Sequence, residues 1–378
     1  TGAYALDGEG NQIFMVDAVS GDLLWYAGPA TDTGADLRHP TLLHSIPGDI
    51  RVFDLTGDGF ADRMYAADMG GRVWRFDIHN GQTRTNLVTG GVFASLGNAH
   101  LGAHPNSTTR RFYSAPDVAF LTDGGRTWLN VSLGSGYRGH PLNVETEDRF
   151  YSLRDHQPFA RLSQAQYDAA TVLTEADPNL LDITSELAPV IPATGPGWRL
   201  NLRTPVGEKS LSEARTIQNL IQFTTYEPNL DVDDPVAGAC APDKGINRLY
   251  TISAFSGAPV FDQDTGVDPD GDDDGDGVPN GAEDDDGDGI PNSSDGDDDG
   301  DGVPDANDPD SVDDRDTELA QGGIAPEVVW LFPSPDDPVS CVGAECRPDP
   351  VCLVGLENCG VGVNLNPVRT FWRQTGVN

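Results

Sequence analysis

The feature that most constrains this chain is a recurring hairpin unit. Ile13-Phe14-Met15-Val16-Asp17 runs into Ser20-Gly21-Asp22 and then Leu23-Leu24-Trp25. Met64-Tyr65-Ala66-Ala67-Asp68 runs into Gly70-Gly71 and then Val73-Trp74-Arg75-Phe76. Arg248-Leu249-Tyr250-Thr251-Ile252 runs into Ser256-Gly257 and then Val260-Phe261, and Phe150 to Asp155 reads as another opening strand. Each unit is a strand, a glycine turn and a return strand carrying an aromatic. Aromatic and β-branched residues suit a pleated surface, and glycine supplies the turn. Helical periodicity is nearly confined to Leu162–Leu181, where one or two short helices are expected. Hairpins repeated along a chain predict an all-β fold, and the recurrent Asp–Gly–Trp spacing favours propeller blades over a generic sandwich.

The charge divides the chain into three parts. The net charge is −38, from 61 acidic and 23 basic residues. Between Asp262 and Asp314 stand 22 aspartates and Glu283 with no Lys or Arg, so −23 lies there and −15 is left for the rest. The expected division is 1–261 as propeller blades, 262–316 as an Asp-rich insertion, and 317–378 as a propeller-closing segment with a cysteine-rich loop. Such a balance gives no basic face for nucleic acid, and an anionic membrane would repel it. No apolar run approaches the roughly 18 residues of a membrane span. The start at Thr1-Gly2-Ala3 has no leader-like pattern, so a mature fragment or a piece of a longer chain is expected.

Two regions carry the spacing of oxygen ligands around calcium. In the first, Asp54, Thr56, Asp58 and Asp62 stand at positions 1, 3, 5 and 9 of a loop. Phe60 at position 7 offers its carbonyl, and Gly59 at position 6 allows the sharp turn. Position 12 is Tyr65 where such loops usually have a bidentate glutamate, and Asp68 is a candidate replacement. An Asp/Gly turn without an ion is the bland alternative, but crowded carboxylates repel when nothing compensates them.

The second region repeats the spacing three times. The sets are Asp272, Asp274, Asp276, Val278 carbonyl, Asn280 and Glu283; then Asp284, Asp286, Asp288, Ile290 carbonyl, Asn292 and Asp295; then Asp297, Asp299, Asp301, Val303 carbonyl, Asp305 and Asp308. These resemble the calcium-binding type 3 repeats of thrombospondins. A disordered acidic linker is the alternative.

Cys341, Cys346, Cys352 and Cys359 fall in a C-x4-C-x5-C-x6-C run. The spacing is too irregular for zinc, so two local disulfides and an oxidising compartment are expected. Cys240 is left over. Catalytic motifs are missing: no H-E-x-x-H, G-x-S-x-G, P-loop or C-x-x-C occurs. His100 and His104 lie in a Gly/Pro loop, and Gly134 to Gly139 mimics a dinucleotide fingerprint with no helix after it. The six tryptophans are most simply packing residues.

The run from Asp54 to Asp62 continues directly into Met64-Tyr65-Ala66-Ala67-Asp68-Met69-Gly70-Gly71-Arg72-Val73-Trp74-Arg75-Phe76-Asp77. This block resembles the C-terminal domain of PilY-type type IV pilus tip adhesins. Asn130 to Tyr137, Asp148 to Asp155, Gly197 to Leu202, Gly207-Glu208-Lys209, Phe223-Thr224-Thr225 and Arg369 to Arg373 follow in family order. Thr56 stands where the family often has Asp or Asn. The resemblance implies a quinoprotein-like β-propeller at the cell surface or pilus tip, into which the Asp-rich repeats are inserted. It implies calcium as cofactor, minor pilins or pilus tip subunits as partners, a host or abiotic surface receptor, and calcium control of pilus extension and retraction. No enzymatic turnover is expected. Two other readings stay open: a structural calcium-stabilised surface or matrix protein, and a quinone-dependent dehydrogenase. The second is disfavoured because such enzymes usually carry adjacent cysteines.

Overall fold

The computed structural model describes residues 9–97, 108–186, 188–203, 207–228, 245–260, 315–331 and 351–359. The fold is all-β. Strands β1 (Ile13–Val16), β2 (Leu23–Pro29) and β3 (Leu37–His39) form the first sheet. The second is an antiparallel meander of β4 (Arg51–Phe53), β5 (Arg63–Ala67), β6 (Arg72–Ile78) and β7 (Val88–Ser95). The third joins β8 (Asp117–Asp123), β9 (Arg126–Gly134), β10 (Arg149–Asp155) and, later in the chain, β13 (Gly197–Asn201). Two short strands from the β10–β13 connection add in parallel: β11 (Leu173–Thr174) onto β7 and β12 (Leu181–Asp182) onto β13. The fourth sheet holds β14 (Lys209–Ser210), β15 (Arg215–Ile217), β16 (Leu220–Glu227), β17 (Ile246–Ser253) and β18 (Asp316–Leu319). The fifth holds β19 (Val328–Leu331), β20 (Val351–Val354) and β21 (Glu357–Asn358).

Consecutive sheets pack face to face, which follows from the period-two alternation of side chains along a strand. On β5, Met64 and Ala66 join a core with Ile13 and Trp25 of the first sheet. Tyr65 and Ala67 point the other way, into a core with Val131, Tyr151 and Leu153 of the third. Every residue of β5 and β6 is buried, because both faces of this sheet are covered. Phe150 and Trp198 meet Phe223 and Ile252 between the third and fourth sheets. Leu249 and Leu319 meet Val328 and Cys352 between the fourth and fifth. Trp25, Trp74, Trp128 and Trp198 are packing residues, as their spacing suggested. The β8–β9 turn shows why glycine punctuates these hairpins. Gly124 and Gly125 sit at φ of 54° and 75°, which the two-residue turn between Asp123 and Arg126 requires.

Two expectations change. The Leu162–Leu181 stretch gives one short helix, α1 (Gln164–Ala169), and then strands β11 and β12 begin. The Ser163 N–H donates to Gln166 Oε1, a side-chain cap that starts the helix. Among the described residues the return from the Ser256-Gly257 turn is short: the Ser253 N–H donates to the Ala258 carbonyl and Pro259 bridges to Ile252, Val260 is outside any strand, and Phe261 lies outside the described residues. The sheet neighbours of β17 are β16 and, beyond the acidic segment, β18. The acidic segment leaves and returns at one point, since the Thr251 N–H donates to the Arg315 carbonyl next to the Ile252–Pro259 bridge. Arg315 is fully buried, donating to the carbonyls of Gly257, Ile183, Thr184 and Glu186, and so clamps the returning end.

Of the four clustered cysteines, Cys352 and Cys359 form a disulfide that staples β20 to the end of the β21 hairpin. Cys240, Cys341 and Cys346 lie outside the described residues, as do His100, His104 and Trp372. Among the described residues, no helix is long and apolar enough to cross a membrane.

Candidate cation loop and its buried neighbours

The Asp54–Asp62 loop connects β4 to β5. Strand pairing of Arg51 with Tyr65 and Phe53 with Arg63 fixes its two ends, so nine residues must bulge out and return. Asp54 shapes that bulge from within. Its Oδ1 accepts the N–H of Gly57 (2.7 Å) and Asp58 (3.2 Å), and its Oδ2 accepts the N–H of Gly59 (2.7 Å). Gly57 and Gly59 take φ of 73° and 88°, the left-handed conformation that lets consecutive N–H groups turn inward. Donation by Gly59, with Gly57, Asp58 and Thr56 behind it, holds the Asp54 carboxyl below the usual range. The Thr56 hydroxyl lies 3.4 Å from Asp54 Oδ1. Asp58 accepts the Phe60 N–H at 2.9 Å, and Phe60 and Asp58 are exposed at the tip.

Asp62 is placed differently. It is 2% exposed. Oδ2 accepts the N–H of Leu55 (2.8 Å) and Thr56 (2.9 Å), and Oδ1 forms an ion pair with Arg161. Burial works against the charged form, but Arg161 and the loop N–H groups outweigh it and hold the carboxyl low. Carboxylate, hydroxyl and carbonyl oxygens with no nitrogen or sulfur donor are the donor types that a hard divalent cation takes. The position-9 carboxylate faces the loop with Oδ2 and is paired with Arg161 through Oδ1. Among the described residues, no three side chains of His, Cys, Asp or Glu gather closely enough to hold a metal. The residues from Asp272 to Asp308 lie outside the described residues.

Asp68, the candidate twelfth-position ligand, serves the β5–β6 turn. Its Oδ1 accepts the N–H of Gly70 (2.8 Å) and Arg72 (3.0 Å), its Oδ2 accepts Trp74 Nε1 (2.8 Å), and Arg72 Nη1 is 3.8 Å away. The group is fully buried, and burial pushes it up to about 6 against these donors. The Asp–x–Gly–Gly–x–x–Trp spacing therefore builds a hairpin lock, and both carboxylate oxygens are engaged in it.

Behind the loop lies a buried ionic cluster that the spacing of acidic residues did not reveal. Arg63 Nε donates to Asp77 Oδ1 (2.7 Å), and Nη1 donates to Asp155 Oδ2 (3.2 Å). Arg75 Nη1 donates to Asp155 Oδ1 (3.0 Å) and Nη2 to Asp77 Oδ2 (3.2 Å). Tyr65 and Tyr167 donate their hydroxyls to Asp155 and Asp77 at 2.5 and 2.7 Å. Two guanidiniums and two carboxylates balance in a site closed to solvent, and burial beside Asp155 drives the Tyr65 phenol well above its usual range. Arg63 also donates to the carbonyls of Gln157, Pro158 and Ala160, so it pins the segment that crosses from the third sheet to the second.

The signal that could have found this cluster is an Arg-x-Tyr repeat. Arg63/Tyr65, Arg149/Tyr151 and Arg248/Tyr250 share one strand face in three successive sheets. In each, the hydroxyl meets a carboxylate: Asp155, Glu175 and Glu208 respectively.

No protein-family model matches the chain. A curated protein of Xylella fastidiosa (strain Temecula1 / ATCC 700964), described as a type IV pilus biogenesis factor PilY1 homolog, is 23% identical over 264 residues. That alignment covers 66% of this chain and 17% of the relative, so the chain spans about a sixth of that protein's length. A solved structure, the C-terminal domain of Pseudomonas aeruginosa PilY1, superposes with a TM-score of 0.45 at 15% identity, over 66% of this chain and 54% of that one. The chain is thus similar in sequence to a PilY-type protein, in keeping with the resemblance carried by residues 54–77.

Proposed function

We propose that this chain is the β-propeller region of a type IV pilus biogenesis factor that acts outside the cell, at or near the pilus tip, with pilus subunits as partners. The observation that carries the reading is the continuous block from Asp54 to Asp77, together with the curated relative's description. Face-to-face packing of consecutive sheets supports the propeller. The first and fifth sheets each keep an apolar outer side, with Phe14 56%, Val16 54%, Val329 44% and Leu331 51% exposed, as blades awaiting neighbours would. No enzymatic role is included, and adhesion to a surface receptor is part of the proposal.

Calcium is proposed as the ligand of the Asp54–Asp62 loop and of the acidic segment 262–314. Bound there, it would neutralise carboxylates that otherwise repel. Asp54 preorganises the loop by gathering three N–H groups, Asp58 and Thr56 supply side-chain oxygens, and Phe60 supplies its carbonyl. Asp77, Arg63 and Asp155 hold the floor beneath it.

The test uses a piliated strain that carries the gene. Deleting the gene should abolish or sharply reduce surface pili, and wild-type protein should restore them. Asp58→Ala should restore assembly but lose the dependence of twitching on calcium. Pili unaffected by deletion would refute the biogenesis reading, and an unchanged calcium response in the variant would refute the loop's role.

A further inference from the structure

Asp62 is claimed from two sides. It is position 9 of the loop, where an oxygen-ligated cation needs a carboxylate, and its Oδ1 is already paired with Arg161. The carboxylate is 2% exposed and the guanidinium 38%, so one end of the pair is fixed and the other faces water. The backbone around Arg161 is pinned. Arg75 Nη2 donates to the Ala160 carbonyl at 2.7 Å, the Leu162 N–H donates to Asp77 Oδ2 at 2.8 Å, and Thr89 Oγ1 donates to the Leu162 carbonyl at 2.6 Å. The Arg161 side chain is therefore the freest part of a tightly held crossing. A guanidinium in contact with a carboxylate oxygen and a divalent ion on the same oxygen repel each other, by an amount that solvent at the exposed guanidinium moderates. Oδ2 cannot serve instead without giving up the Leu55 and Thr56 N–H groups that close the loop.

We propose that Arg161 is a built-in competitor for the loop's cation. Ion binding at Asp54–Asp62 draws Asp62 Oδ1 away and releases the guanidinium to solvent, so the crossing between the second and third sheets reports whether the loop is filled. This rests on the cation reading of the loop given above. The consequence is a loop tuned to respond to changing calcium, since each binding event must displace a resident positive charge. The released guanidinium stands two residues from Phe159, which is 67% exposed and stacked on Phe120 at 5.7 Å, so occupancy alters the charge of an aromatic surface.

The experiment uses the full chain and calcium chloride. Amide hydrogen exchange of residues 54–62 reads loop filling locally, whatever the acidic segment does. Phenylglyoxal labelling followed by peptide mass spectrometry reads Arg161, with the buried Arg63 and Arg75 as internal references. Arg161 labelling should rise at least about threefold over the calcium range that protects the loop. In Arg161→Gln, the calcium midpoint for loop protection should fall by about three- to fivefold, the size expected of a partly exposed ion pair. A protected loop with flat Arg161 labelling and an unchanged midpoint would overturn the competitor role and leave the cation site standing. A loop that calcium does not protect in the wild-type chain would overturn the site and this inference with it. The labelling arm needs no variant, so poor folding of Arg161→Gln does not remove the test.

Discussion

The second sheet and the β10 edge packed against it carry two populations of carboxylates. Asp54 and Asp58 lie on the β4–β5 loop, where backbone N–H groups are their main partners. Asp68, Asp77 and Asp155 are 0–2% exposed, and each meets an arginine and an aromatic donor. In sequence the two kinds look alike, as Asp among Gly and aromatic residues. The difference is set by strand pairing. Residues in register on β5, β6 and β10 are covered by sheets on both sides, so a carboxylate there must be fully partnered or neutral. A carboxylate on the bulge between paired strands can stay ionised and wait for a ligand. The contrast separates charges that build the fold from charges free to act.

Removing a member of the buried population should have the largest effect. Asp155→Ala would leave Arg63 and Arg75 buried without half of their balancing charge and would orphan the Tyr65 hydroxyl. Breaking a buried ion pair on one side typically costs about 3–5 kcal/mol. Chemical denaturation should show a loss of that size, or a chain that no longer unfolds cooperatively. A loss under about 1 kcal/mol would place this cluster with surface ion pairs.

The turn carboxylate should show itself through pH. Burial pushes Asp68 up to about 6, above its unfolded value, so the folded state holds the proton more tightly. Its contribution is therefore fully present below about pH 4 and is lost as pH rises through about 6, by at most roughly 1.4 kcal/mol for each step of one in pH. Asp54 is held low and acts in the opposite sense, contributing at neutral pH and losing that contribution as pH falls toward its folded value. In Asp68→Asn, the decline in stability between pH 4 and 7 should be shallower than in the wild-type chain, by on the order of 2 kcal/mol across the range. Parallel curves would show that Asp68 does not titrate there. At fixed pH 7, Asp68→Ala should cost about 1–3 kcal/mol in denaturant titration, because Trp74 Nε1 and two N–H groups lose their acceptor.

Much of the architecture was legible because hairpin strands and glycine turns are local. The β1–β2 and β5–β6 hairpins stand where the Asp–Gly–Trp units predicted them. The β17 unit keeps its turn at Ser256-Gly257, but one of its two sheet neighbours, β18, lies beyond the acidic segment. Sequence proximity cannot reveal such a partner. The same limit applies to Arg161, which is 99 residues from Asp62 in the chain. Loop spacing names the residues that could ligate an ion and is blind to a cation arriving from another sheet. Asp68 was drawn toward the loop for the opposite reason: counting positions ignores which residues strand register will bury.

The smallest effect is expected at the loop tip, and it is the sharpest probe of the contrast. Asp58 accepts one N–H, from Phe60, and is exposed beside Gly57 and Gly59, which already carry the turn. Asp54 gathers the N–H groups of Gly57, Asp58 and Gly59, and Asp62 those of Leu55 and Thr56, so Asp58→Ala removes little that holds the loop together. Without divalent ions, its stability in denaturant should stay within about 0.5 kcal/mol of the wild-type chain. With calcium, the two chains should part, because a ligand that binds the folded state stabilises it in proportion to the logarithm of one plus the ratio of its free concentration to its Kd. The acidic segment complicates a global reading, since calcium bound there would stabilise both chains equally. The informative quantity is therefore the difference between the chains as calcium rises. A difference that grows from near zero marks Asp58 as a carboxylate kept for a ligand. A large difference already present in chelator would place Asp58 with Asp68 and Asp155, as part of the fold itself.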